Sequence, residues 1–124
     1  MKTKLLISSV VIVIIGVVVI FGFNEFDNSL NEKESLTLLT KTITRDALYD
    51  SFTTSQCLSF STNEITKESF IISVYEIHDN DCKGDPNTQP RVDTFKVMRQ
   101  TKNIFHYDVR EDSYFPYDSS KLKR

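Results

Sequence analysis

Residues 5–23, LLISSVVIVIIGVVVIFGF, run for 19 positions without a charge. As a helix, at a 1.5 Å rise per residue, this stretch is about 28 Å long. That is close to the roughly 30 Å hydrocarbon core of a bilayer. Lys2 and Lys4 precede it, and Glu25 and Asp27 follow it. The positive-inside rule then predicts a cytoplasmic N-terminus and a remainder sent across the membrane. A cleaved signal peptide has a shorter apolar region, about 7–15 residues, ending at a small-residue site. The end here reads VIFGFN and offers no such site. The expectation is a retained anchor over residues 1–23, in contact with inner-membrane lipid through residues 5–23. The chain would cross the membrane once and place its C-terminal domain in the periplasm.

The remainder, from Asn24 on, holds all 17 acidic residues and 13 of the 15 basic ones, a net charge of −4. Nonspecific nucleic-acid binding needs a basic footprint, so nucleic acid is not an expected partner. There are two cysteines, Cys57 and Cys82. In an oxidising compartment an even pair in a small domain reads as a disulfide. The bridge would close 26 residues counted inclusively. Chain entropy assigns such a loop about 3.5 kcal/mol.

Residues 24–34 are polar and acidic and read as a spacer. Asn31 followed by Glu34 has capping-box spacing. Leu36, Leu39, Ile43 and Ala47 then recur at helical spacing, which predicts a helix from about Glu32 to Asp50. Thr37, Thr40, Thr42 and Thr44 lower its intrinsic propensity, so it should depend on packing. QCLSFS reads as a short strand bearing Cys57. SFIISVYEIH, residues 69–78, is the strongest strand. It carries Phe70, Ile72 and Val74 on one face and Ile71, Tyr75 and Ile77 on the other, which predicts a central strand covered in part on both sides. RVDTFKVMR and IFHYDV are joined by QTKN, in which Asn103 suits a positive φ. The aromatics Tyr114, Phe115 and Tyr117 are expected to fold back onto the domain. The predicted fold is α+β: an N-terminal transmembrane helix, then one helix packed on an antiparallel sheet of about four strands. The globular domain would span residues 35–118, with a frayed tail over residues 119–124.

The densest polar chemistry lies in HDNDCKGDPNTQPR, residues 78–91. Asp79, Asp81 and Gly84 fit positions 1, 3 and 6 of an EF-hand loop. Lys83 and Pro90 then fall where ligands are required, which argues against calcium. His78, Asp79, Asp81 and Cys82 suggest zinc, but no C-x-x-C or H-x-x-x-H pattern occurs and a bridged Cys82 is no thiolate ligand. A Cys82–His78 nucleophile fails for the same reason. No G-x-S-x-G elbow occurs. No catalytic, metal-ligating or cofactor-binding residue is therefore assigned, and no enzyme is expected. Turn chemistry accounts for more of the loop. Gly84 permits a positive φ, Asp85-Pro86-Asn87 forms a turn, and Pro90 extends Gln89. The Asp85 carboxylate is expected to accept loop backbone N–H groups, and Arg91 to pair with a loop carboxylate. On this reading His78 adds little to stability.

CLSF, then VYEIHDNDCKGDPNTQPRVDTFKVMRQTKNIFHYD and YFPY, resembles a module of small uncharacterised proteobacterial envelope proteins. Their pattern reads Glu-Ile-His, a few residues, Cys-Gly-Gly-Asp-Pro-x-Thr-x-Pro, then a strand hairpin ending in Tyr-Asp. The likeness covers residues 57–117, and Lys83 stands in place of the first glycine. It implies an exported, membrane-attached domain with Cys57 and Cys82 paired, and it brings no activity. The hairpin is also similar, more weakly, to the strand pair of PepSY-type domains.

The functional expectation is a membrane-anchored periplasmic binding module, non-enzymatic and without cofactor, whose partner is another envelope protein. His78, Asp79, Asp81, Asp85 and Arg91 form its candidate interaction loop. The alternatives are an inhibitor of an envelope enzyme, a structural subunit of a membrane complex, or a metal-dependent enzyme or carrier that uses His78 and neighbouring carboxylates.

Overall fold

The computed structural model describes residues 27–123. The predicted anchor over residues 5–23 lies outside them. Among the described residues no helix is long and apolar enough to cross a membrane.

Helix α1 spans Glu32–Arg45 and begins with the predicted capping box. Asn31 Oδ1 accepts from the Glu34 N–H, and Glu34 Oε2 accepts from the Asn31 N–H, each at 2.9 Å. Thr37, Thr40 and Thr42 donate their hydroxyls to carbonyls one turn back, at 2.8 Å each. This back-bonding lets the threonines sit in the helix with satisfied hydroxyls.

The helix stops at Arg45, short of the expected Asp50. Ala47 has φ +49. Its N–H donates to Thr44 O at 3.2 Å, and Leu48 N–H donates to Ile43 O at 3.1 Å. These are the two bonds of a Schellman motif, with Ala47 in the position usually given to glycine. Ala47 therefore does not extend the apolar helix face. The reversal instead drives Leu48 and Tyr49, 2 % and 3 % exposed, into the core.

A 3-10 turn at Ser55–Cys57 leads into β1 (Leu58–Ile65), followed by β2 (Ser69–Glu76), β3 (Arg91–Met98), β4 (Ile104–Asp108) and β5 (Ser113–Pro116). They form one antiparallel sheet in the order β1-β2-β3-β4-β5. The sheet has five strands rather than about four, because the aromatic tail pairs as β5 instead of only folding back. A short helix α2, Ser119–Leu122, follows where a frayed tail was expected. Asp118 caps it through the Ser120 N–H at 3.0 Å, and Leu122 packs against the core.

The core lies on one face of the sheet. Phe70, Ile72, Val74, Phe95 and Val97 meet Leu39 and Ile43 of α1 there, all nearly inaccessible to solvent. The other face of β2 is covered in part, as predicted: Ile71 and Tyr75 are half-buried and Ser73 between them is buried. The middle strand is β3. Leu30 also belongs to the core, and its N–H donates to Arg99 O at 2.8 Å. The globular domain therefore starts inside the segment read as spacer. At the β3–β4 turn, Lys102 rather than Asn103 takes the positive φ, +61.

Candidate functional site

The β2–β3 connection, residues 77–90, closes in two halves. In the first, Cys57 and Cys82 are disulfide-bonded with a Cα–Cα distance of 5.6 Å. This meets the expected pairing. Ile77 N–H donates to Cys57 O at 2.8 Å, which holds the loop's start to the 3-10 turn. Asp79 Oδ1 accepts from the N–H groups of Asp81 and Cys82, each at 2.9 Å. Asp79 N–H returns a bond to Cys82 O at 3.0 Å.

The second half is organised around an acceptor that carries no side-chain signature, the Asp85 carbonyl. It accepts from the Thr88 N–H at 3.0 Å, the Thr88 hydroxyl at 2.9 Å and His78 Nδ1 at 3.0 Å. The Asp85 carboxylate, expected to accept loop backbone N–H groups, accepts that of Asn87 at 2.9 Å in an exposed turn. Arg91 is exposed at the start of β3 and forms no ion pair among the described residues.

His78 is the hub. Its Nε2 lies 2.8 Å from Glu76 Oε2, and its Nδ1 lies 3.1 Å from Thr88 Oγ1 as well as facing the Asp85 carbonyl. Gly84, at φ +132, is pressed on the ring: a Cβ there would lie 2.5 Å from three ring carbons. The side chain is 9 % exposed, although every residue from Asp79 to Arg91 except Cys82 is exposed. A carbonyl and a carboxylate accept and do not donate, so both contacts form hydrogen bonds at once only when both ring nitrogens carry hydrogen, as in the cation. The Glu76 hydrogen bond raises the His78 pKa above its ordinary 6.5, burial works against it, and the Asp85 carbonyl adds to the rise. His78 is thus tied into the loop by three contacts rather than lying free on the surface.

A second cluster escaped the sequence reading. Asp93 accepts from His106 Nε2 at 2.7 Å and from the Tyr49 hydroxyl at 2.6 Å. His106 also packs against Phe95, with ring centroids 5.4 Å apart. Asp93 and His106 line an open groove of about 1220 Å³ that runs beside β4, β5 and α2. The signal was present in RVDTFKV, where Asp93 keeps the same alternation as Phe95 and Val97 and so points to the core side. Across the groove, the Tyr117 hydroxyl donates to Asp46 Oδ2 at 2.9 Å. Burial and that bond push the Tyr117 pKa far up. The Arg45 guanidinium beside Asp46, together with Tyr117, holds the Asp46 carboxyl low.

His78 and His106 belong to separate networks. Among the described residues no three His, Cys, Asp or Glu side chains gather into a metal-holding group. His106 Nδ1 has no hydrogen-bond partner among the described residues, so no hydroxyl or thiol is poised on it as a nucleophile. No family model, curated protein or solved structure matches the chain.

Proposed function

We propose that this chain is a membrane-anchored module of the periplasmic face, non-enzymatic, that binds another envelope protein through the β2–β3 loop. One observation carries the proposal: the loop is exposed along almost its whole length, yet its interior is tied by a disulfide, two Asp-centred turns and the His78 hub. A loop held in one conformation loses little entropy on docking, which favours recognition. The charge-free stretch at residues 5–23 and the disulfide support the anchored, exported placement. Glu76, His78, Cys82, Gly84, Asp85 and Thr88, which carry the resemblance to envelope proteins, are also the residues that build the loop's interior. That supports reading their pattern as the signature of a presented loop. Inhibition of an envelope enzyme is one form this binding can take, since a rigid protruding loop suits it.

The test is recovery from native membranes in mild detergent, comparing the parent chain with D81K/K83E and with K67E. Lys67 lies in the exposed β1–β2 turn, away from the loop. A partner held by the parent and by K67E, and lost with D81K/K83E, is the expected result. A partner retained by all three places the contact off the loop and overturns the proposal. A reporter fused after Arg124 should be active only outside the cytoplasm, and activity inside removes the periplasmic placement.

A further inference from the structure

We infer that His78 is a proton-operated latch: doubly protonated, it ties Glu76 at the end of β2 to the Asp85 carbonyl and Thr88 across the loop, and losing one proton releases that tie. The inference concerns loop order and stands whether or not the loop binds a partner.

The neutral ring can keep only part of this network. A neutral imidazole has one N–H and one lone pair. If the proton stays on Nδ1, the Nε2 lone pair faces the Glu76 carboxylate at 2.8 Å. If it stays on Nε2, the Nδ1 lone pair faces the Asp85 carbonyl at 3.0 Å. Thr88 has a single hydroxyl hydrogen, which already goes to Asp85 O. Turning it to Nδ1 would give up that bond. Gly84, packed on the ring, closes one direction of escape. Each neutral form therefore breaks at least one of the contacts that close the loop's second half.

The charged groups that act on the ring are Glu76 from β2 and Asp85 from the loop. Both are acidic and both favour the cation. His78 has its pKa raised in the folded state above the 6.5 of an unperturbed ring. The sign follows by linkage. The latch's contribution is fully present below 6.5 and is lost as pH rises through the folded-state value. The loop is closed on the acid side and loosens on the alkaline side. The disulfide and the backbone bonds to Asp79 Oδ1 do not involve the His78 ring, so the first half of the loop should stay ordered throughout.

The experiment follows the full chain in mild detergent from about pH 5 to pH 9, reading histidine ring signals by NMR together with amide exchange corrected for intrinsic base catalysis. The two imidazoles are told apart by the signals that H78Q removes. The expected result is His78 titrating above 6.5, with the Thr88 amide losing protection over the same range while the Cys82 amide keeps it. In E76Q the midpoint should move down towards 6.5, and the loss of protection should move with it. H78Q serves as the second check, because its loop protection should no longer change over that range. A His78 midpoint at or below 6.5, or Thr88 protection that stays flat while His78 titrates, overturns the latch.

Discussion

At the scale of single residues, the loop depends on atoms that a sequence does not advertise. Asp85 stands out as a turn residue, and its carboxylate is the natural candidate for a keystone. The structure uses its carbonyl instead, an acceptor every residue possesses, and that choice is made by the path of the chain. His78 reads as an ordinary surface histidine until the chain folds back and Gly84 covers its ring. Replacing Asp85 with Ala keeps the carbonyl and loses only an exposed turn bond, so it should cost less than about 1 kcal/mol in urea denaturation. Replacing Gly84 with Ala brings a Cβ to 2.5 Å from the His78 ring and strains a φ of +132. It should cost about 1–3 kcal/mol. A larger loss from Asp85→Ala than from Gly84→Ala would restore the carboxylate to the centre of the loop.

At the scale of elements, what the sequence showed clearly was local. The capping box at Asn31 and Glu34, the β-rich run over residues 69–78 and the β3–β4 hairpin all carry their instructions within a few residues. The end of α1 did not. Ala47 has high helix propensity and falls on the apolar spacing, so nothing nearby announces a reversal. Burial of Leu48 and Tyr49 decides it, which is tertiary packing overriding propensity. A non-glycine residue in the left-handed region costs roughly 1–2 kcal/mol. Ala47→Gly should therefore stabilise the protein, by about 0.5–1 kcal/mol after allowing for glycine's freedom when unfolded. A lowered midpoint in chemical denaturation would mean that the Ala47 methyl packs well enough to outweigh its strained φ. Asp93 shows the opposite case: its phase in β3 was legible, but its partners Tyr49 and His106 come from separate parts of the chain.

At the scale of the whole molecule, the disulfide joins the first part of the sheet to the loop that leaves β2. Thiol titration of the unfolded, unreduced chain should find no free sulfhydryl. Reduction should destabilise the fold by about 3.5 kcal/mol on the chain-entropy estimate, a large share of the usual 5–15 kcal/mol for a domain. It should loosen the Cys82 half of the loop before the core strands β2 and β3. Reduction that leaves the thermal midpoint unchanged would show that hydrogen bonds alone hold the loop's start.

The strand order has one more consequence. Every ladder in the sheet joins strands adjacent along the chain, so no strand waits for a distant partner. A chain delivered N-terminus first can close each hairpin as soon as its second strand emerges. Docking of the helical segment is another matter. Leu30 bonds to Arg99, Tyr49 to Asp93 and Asp46 to Tyr117, at separations of 69, 44 and 71 residues. The sheet can thus assemble progressively during synthesis, while the segment made first waits for β3 before it can dock and gains its bond to Tyr117 only after the last strand has been delivered.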